Sequence, residues 1–323
     1  LGGVLEKWGP VRTNVALLII GSVFVALGAA VQDANSLIII RFFVSVVGPT
    51  FVCNQFWNTI LFAPNVKGTA NATAGGWGNL GGGITQILMP AIYVFFHDAM
   101  NMSMSMSWRV SMFVPAILFV ICATYTFFFT QDMPTGRFSV TQLGKSVVAG
   151  PLTYLEVLSD YRVALMIFQY GMCFGSQLVM HNVLHTHFHD YFHVDAMTAG
   201  FLAFGYGGMN LWARSSGGIL SDWLSVRYGM PGRLWAHFVS LFIAAIFLFL
   251  FGLVDQDMGW EVALPVLMLF SQFCNMAEGT TYGIVPFMIP RHVAVVSAVV
   301  GAGGTLGALI LSAAFYRSEE RRV

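Results

Sequence analysis

Apolar stretches of about 20 residues follow one another from end to end of this chain, each long enough to cross a hydrocarbon core roughly 30 Å thick. Nine spans are placed at 13–32, 35–60, 68–96, 109–129, 162–182, 196–216, 233–253, 261–287 and 292–316. Charge is correspondingly scarce. Asp, Glu, Lys and Arg make up 9% of the 323 residues, against about 25% in a soluble domain. A solvated surface of ordinary size cannot be built from that, which excludes soluble enzymes, nucleic-acid binders and disordered scaffolds. The chain reads as an all-α polytopic protein whose first partner is the lipid bilayer.

The longest polar stretch, 131–161, carries Pro134, Gly136, Lys145, Gly150, Pro151, Glu156 and Asp160. It is expected to be a linker between an N-terminal bundle, 1–130, and a C-terminal bundle, 162–323. Taking the segment before the first span and then every second loop collects Lys7, Arg12, Lys67, Arg137, Lys145, Arg162, Arg227, Arg233 and Arg291, while the opposite loops are mostly acidic and hold Arg109. By the positive-inside rule the basic side, linker included, faces the cytoplasm. Arg317, Arg321 and Arg322, after the ninth span, fall on the opposite side and run against this pattern.

Two motifs recur in the same order. Gly2-Gly3-Val4-Leu5-Glu6-Lys7-Trp8 reads against Gly217-Gly218-Ile219-Leu220-Ser221-Asp222-Trp223, with Arg12 and Arg227 in register. Gly75-Gly76-Trp77-Gly78-Asn79-Leu80-Gly81 reads against Gly301-Ala302-Gly303-Gly304-Thr305-Leu306-Gly307 at a nearly equal spacing. Two homologous halves account for this, as in transporters built from parallel repeats. The count within the halves implies two spans before residue 1 and one after the ninth. The chain, which opens at Leu1 without a signal-peptide pattern, is therefore expected to be a piece of a longer, twelve-span protein.

These motifs carry a family resemblance. The GG-[VI]-L-x-[KD]-W-x-x-x-R loop of each half resembles the cytoplasmic signature of the major facilitator superfamily, and Arg41 with Gly48 resembles its arginine-bearing fourth helix. Ala74-Gly75-Gly76-Trp77-Gly78-Asn79-Leu80-Gly81-Gly82-Gly83 is similar to the nitrate signature of the nitrate/nitrite porter family, and 301–307 to its second signature. The resemblance covers the whole chain as helices three to eleven and is closest to the eukaryotic high-affinity nitrate transporters. It implies a major facilitator fold with the substrate held near the midplane, between the bundles.

The site residues follow from both readings. Arg214 is an ionisable group in an apolar stretch, a functional hypothesis by default. Its planar fork of donors suits a small planar anion better than an ammonium would. The resemblance makes Arg214 one of two arginines that clamp nitrate; snorkelling to the membrane surface is the alternative. Asn79 can donate from its amide to an anion, or serve as glue between helices. Thr305 stands where the second signature usually carries Asn. Gly75, Gly78, Gly82, Gly303, Gly304 and Gly307 form small-residue stripes that let helix backbones approach closely. Tyr170 and Phe174, four apart, share one helix face and resemble cavity-lining aromatics; Gln55 and Trp57 pose the same choice between cavity and core. Arg41 is expected in a gating or structural ion pair. Glu278 is acidic deep within a span. Buried carboxylates as a class take up protons more readily than exposed ones, so it is a candidate for proton coupling. A fixed salt bridge, to Arg41 or to an arginine outside the chain, is the alternative.

Other features carry less. Cys53, Cys122, Cys173 and Cys274 are scattered through apolar runs and read as small hydrophobes. His181, His185, His187, His189 and His193 cluster at an expected outer loop without standard metal spacing, and no metal or cofactor is expected. Asn101-Met102-Ser103 is a glycosylation sequon on the expected outer side. Asn71-Ala72-Thr73 falls on the other side and should be silent. No HExxH, GxSxG or paired intramembrane carboxylate marks an enzyme. The expected function is nitrate transport with nitrite as second substrate, by alternating access and in symport with protons. Nitrate/nitrite exchange is one rival; a non-transporting anion sensor or inactive fragment is the other. The plasma membrane is the expected location, and a single-span accessory protein, needed by some eukaryotic relatives, is a candidate partner.

Overall fold

The computed structural model describes residues 2–139 and 150–320. The middle of the expected linker, with Lys145, and the terminal Arg321 and Arg322 lie outside the described residues, as does the side chain of Arg317. The helices are α1 (Gly2–Trp8), α2 (Pro10–Leu27), α3 (Ala34–Val44), α4 (Thr50–Leu61), α5 (Lys67–Val94), α6 (Met104–Ser111), α7 (Phe113–Phe129), α8 (Pro151–Ser159), α9 (Tyr161–Thr186), α10 (Ala196–Gly208), α11 (Ala213–Tyr228), α12 (Met230–Phe251), α13 (Trp260–Met288) and α14 (Val293–Glu320). Among the described residues the only β feature is an isolated bridge between Met133 and Gly136.

Local chemistry sets several boundaries. Asp33 accepts from Ser36 N at 2.7 Å while Ser36 Oγ accepts from Asp33 N at 3.1 Å, a capping box at the start of α3. Asp195 caps α10 by accepting from Thr198 N at 3.0 Å. Asp160 caps α9, and Arg162 folds back on it at 2.6 Å, holding that carboxyl below the usual carboxylate range. Gly9 and Gly229 turn the chain with positive φ, 83° and 63°, ahead of Pro10 and Pro231 in the first turns of α2 and α12.

Eight expected spans correspond to helical segments long and apolar enough to cross a bilayer. The remaining one, the sixth at 196–216, is divided. A 3₁₀ turn at Met209–Leu211 and Trp212 with φ −128° separate α10 from α11. Asn210 Nδ2 donates to Gly207 O at 3.0 Å there, a local side-chain bond that competes with the helical ladder. The repeated Gly-Gly motif also differs from expectation. Both copies are helical, in α1 and α11, because the glycines serve close approach: a Cβ at Gly218 would lie 2.6 Å from Ala72 Cβ.

Large apolar side chains such as Phe42, Phe128, Phe129, Phe249 and Leu309 are exposed on the outside, the inverse of a soluble protein and the surface that lipid covers. Two cores lie within. The larger joins α9, α10, α13 and α14 around Tyr206, Leu267 and Phe270; the smaller sets Leu5, Val52 and Phe56 against Val293 and Ala294. α9 and α14 cross through glycine: a Cβ on Gly307 would fall on Gly171 O, and one on Gly175 would lie 2.7 Å from Ala308 N. α5 runs against α10, α11 and α13 through Gly68, Ala72, Gly75, Gly76 and Gly83. At Gly78 and Gly82 an added Cβ would meet nothing within 4 Å among the described residues.

Gly307→Val overpacks the α9–α14 crossing and should cost about 1–3 kcal/mol, whereas Gly78→Ala should stay within about 0.5 kcal/mol. Thermal unfolding of the full-length variants in detergent checks this; equal melting temperatures would contradict the crossing.

Candidate functional site

α11 begins at Ala213, and its first turn carries Arg214 into the interior, where the side chain is 0% exposed. A charge at that depth needs a partner. Glu278 on α13, also 0% exposed, forms an ion pair with Nη1. Nη2 donates to Tyr170 Oη on α9 at 3.2 Å, and the guanidinium lies 5.4 Å from the centre of the Phe51 ring. Nε faces α5, where a Cβ on Gly75 would come within 2.8 Å of it. Nε is buried without a hydrogen-bond partner among the described residues. The fixed-salt-bridge alternative for Glu278 thus has its partner in Arg214, not Arg41. Arg41 is exposed on α3 and has no ion-pair partner among the described residues.

An aromatic wall stands beside the pair. Tyr170 stacks on Phe174 with centroids 5.1 Å apart and meets Tyr282 edge-on at 5.3 Å; Phe51 meets Tyr282 edge-on at 5.2 Å. Gly304 makes room for this wall, since a Cβ there would lie 2.7 Å from both the Tyr170 and Phe174 rings. Gly303 admits Ile167 in the same way. Amides close the other side. The Gln177 side-chain amide lies among them, 3.5 Å from Asn79 Nδ2, 3.1 Å from Asn210 Oδ1 and 2.8 Å from Asn275 Oδ1, and its NH₂, turned to Glu278, donates to the two carboxyl oxygens at 2.9 and 3.1 Å.

Of the predicted residues, the fold brings together Arg214, Glu278, Tyr170, Phe174, Gly75 and Gly304, with Asn79 one amide away. Thr305 stands apart. Gly303, Gly304 and Gly307 turn one face of α14 to α9, which leaves Thr305 exposed on the other. Gln55 is fully buried and donates to Asn71 O at 3.1 Å, and Trp57 donates to Gln131 O at 3.0 Å. Asn71 is 0% exposed, whereas Asn101 is exposed. His189 Nδ1 lies 2.9 Å from Val194 O, closing the end of α9, and no group of three His, Cys, Asp or Glu among the described residues could hold a metal ion.

Sequence reasoning missed a second polar cluster. Asp222 on α11 accepts from Gly68 N at 3.2 Å, Thr69 N at 2.6 Å and Thr69 Oγ1 at 2.7 Å. It therefore caps the start of α5, which no side chain of α5's own N-cap does. Arg233 of α12 pairs with Asp222 at 2.6 Å, donates to Ser221 Oγ at 3.2 Å and lies over the Phe287 ring at 4.9 Å. Asp222 sits in the repeated motif opposite Lys7, and that change from basic to acidic was the available signal.

Residues 1–313 match the family model for the Major Facilitator Superfamily. High-affinity nitrate transporter 2.3 of Oryza sativa subsp. japonica is 35% identical over 320 residues, 98% of this chain and 61% of the rice protein. High affinity nitrate transporter 2.7 of Arabidopsis thaliana is 33% identical over 338 residues, 100% of this chain and 67% of that protein. The chain belongs to the nitrate/nitrite porter family of the major facilitator superfamily, in its eukaryotic branch. It spans about three fifths of the rice relative's length. The crystal structure of the E. coli fucose:proton symporter superposes with a TM-score of 0.71 at 14% identity, covering 99% of this chain and 80% of the symporter, which establishes the fold. The two plant relatives are named as nitrate transporters.

Removing one partner of a buried ion pair typically costs about 3–5 kcal/mol, while replacing both by apolar groups is far milder. Arg214→Met should therefore lower the melting temperature of the full-length protein strongly, and Arg214→Met/Glu278→Leu should recover most of the loss. An additive double variant would contradict the pairing.

Proposed function

We propose that the full-length protein carries nitrate, with nitrite as a second substrate, across a membrane by alternating access and in symport with protons. The observation that carries this reading is Arg214, wholly buried, held by a carboxyl and walled by aromatic rings. The printed names of the rice and Arabidopsis relatives support nitrate as the substrate.

Nitrate is a planar monoanion. It binds by taking over donors of the Arg214 fork, with Tyr170 and Phe174 as an apolar wall and the Asn79 amide as a further donor. Glu278 holds the same guanidinium, so anion and carboxylate compete for one cation. When nitrate takes Arg214, an ionised Glu278 would be left buried without a counter-charge, at a cost of several kcal/mol. Binding therefore draws a proton onto Glu278, and nitrate and H⁺ enter together. The sign follows: lower outside pH favours binding from outside. Glu278 accounts for one proton per nitrate, so a net inward current requires a second proton on another group.

In this reading residues 1–130 and 162–323 are the two moving bundles, and the linker 131–161 lies on the cytoplasmic side. The Asp222–Arg233 cluster bolts α11 and α12 to the start of α5 at that same end. It is the gate that must part for nitrate to leave. The plasma membrane is the proposed location, with a single-span accessory protein as a candidate partner.

The test is labelled nitrate uptake and nitrate-evoked current in oocytes expressing the completed reading frame, at acid and neutral outside pH. Uptake should rise with acidity in the wild type and lose that dependence in Glu278→Gln, while Arg214→Lys should lose uptake at least tenfold. Uptake indifferent to pH and without current would replace symport by exchange. No uptake by protein present at the surface, with the accessory protein co-expressed, would sink the nitrate reading.

A further inference from the structure

On the side of Arg214 away from the Asp222–Arg233 cluster, α5 meets α10 through two glycines. A Cβ on Gly207 would lie 3.0 Å from Gly83 Cα, and one on Gly83 would lie 3.3 Å from Gly207 C. In the proposed cycle α5 and α10 belong to different bundles, so this contact lies between the parts that move. His181 on α9 is built into it. The same Cβ on Gly207 would lie 3.0 Å from His181 Cε1, and Gln86 Nε2 on α5 donates to His181 O at 3.1 Å. Tyr206, next to Gly207 and 0% exposed, meets the imidazole edge-on with ring centres 5.3 Å apart. His181 Nδ1 and Tyr206 Oη are both buried without a hydrogen-bond partner among the described residues. Two neighbouring polar atoms left unmet at one contact call for a reason, because each carries a desolvation cost that no bond offsets.

One proton on Glu278 makes nitrate entry electroneutral. An inward current needs a second titratable group, loaded from outside, whose surroundings change as the bundles move. Histidine is the side chain whose ordinary charge change falls between about pH 5 and 8. His237 on α12 is buried, with Nδ1 2.8 Å from Thr280 Oγ1 on α13 and Nε2 unpartnered among the described residues. Both of those helices lie in one bundle, so His237 keeps its surroundings throughout the cycle. His292 follows Phe287, which packs on Arg233, and so belongs to the end that opens inwards. The remaining histidines sit in or next to the opposite loops. His181 alone lies where the bundles meet beside the site: four residues before it, about 6 Å along the helix, Gln177 donates to Glu278 at 2.9 and 3.1 Å. The titratable group facing His181 from α10 is Tyr206, and α5 presents Gly83 and the neutral Gln86. Neither α13 between Leu264 and Ala277 nor α14 between Gly301 and Ser312 carries a charged residue; Cys274 is titratable there, and His185 follows one turn on along α9.

We infer that His181 is the second proton carrier of the cycle, loaded from outside while the Gly83–Gly207 contact is parted and emptied inwards when that contact shuts. With the contact parted, a proton from outside water bonds to an imidazole nitrogen. Shutting it seats the ring against Gly207 and leaves Nδ1 and Tyr206 Oη dry and unpaired, surroundings that cost the imidazolium more than the neutral ring. The N–H bond then breaks. The glycines close the outer route, so the proton passes to water in the central site and leaves with nitrate and the Glu278 proton. Two protons and one nitrate cross together, with one net positive charge, and the imidazole returns neutral. This rests on the proton-symport reading of the site.

The test uses the full-length protein in voltage-clamped oocytes, with labelled nitrate uptake measured in the same cells at several outside pH values and surface protein quantified. The quantity read is the charge moved per nitrate. It should be about one positive charge in the wild type and about zero in His181→Gln, whose uptake continues with the Glu278 proton alone and no longer responds to membrane potential. His181→Asn, a second variant should the first fail to reach the surface, should read the same. His237→Gln should keep the wild-type ratio. A wild-type ratio in His181→Gln overturns this inference alone, as does loss of the charge in His237→Gln instead. Uptake abolished at every pH in both His181 variants, with protein at the surface, makes His181 part of the passage and overturns it too. An electroneutral wild type whose uptake still rises with acidity overturns the second carrier and leaves Glu278 as the first; a pH-independent wild type overturns the symport reading with it.

Discussion

Two opposite charges, Arg214 and Glu278, sit wholly out of water, and the surrounding structure answers to that. A buried ion pair recovers its desolvation cost only when geometry is good and the remaining donors and acceptors are met. Tyr170 takes one guanidinium nitrogen, the face of Phe51 lies over the cation, and Gln177 meets the carboxyl. α5 contributes by absence: Gly75 has no Cβ to hold the guanidinium away from its backbone. The nitrate signature thus describes, in part, a groove cut into one helix for an arginine belonging to another.

The same helix links the two polar clusters. Gly68, Ala72, Gly75, Gly76 and Gly83 of α5 lie along one face against α10 and α11. The start of α5 is capped by Asp222, and Arg214 packs two turns further on. Both anchoring residues belong to α11, so α5 and α11 meet once at the proposed gate and once at the proposed substrate site. A movement that parts the first contact must slide or tilt the second. In the proposed cycle this is how opening one end of the protein is felt by the arginine near its middle.

The spans were legible because a bilayer demands long apolar runs, and Arg214 was legible because a charge inside one is expensive. Its partner was not. Arg214 and Glu278 are 64 residues apart, and which face α13 turns to α11 depends on packing that no local pattern encodes. On α5, Ala74, Gly78 and Gly82 look as good a small-residue stripe as Gly75, Asn79 and Gly83. Packing alone decides that the second is used against α10 and α11, while nothing among the described residues meets the first within 4 Å of Gly78 or Gly82. The placing of Thr305 was hidden for a related reason, since matching a signature position does not say which way a helix is turned. Gln177 offered no signal beyond being polar in an apolar run. The division of 196–216 hid in a window of high hydropathy, because Asn210 acts through one local hydrogen bond.

The central claim is that nitrate and Glu278 compete for Arg214, so that binding the anion takes up a proton. Calorimetric titration of nitrate into the purified full-length protein, in buffers of different ionisation enthalpy, measures that directly. The account predicts about one proton absorbed per nitrate bound near neutral pH, falling to none in Glu278→Gln. Nitrate binding with no proton uptake in the wild type would contradict it.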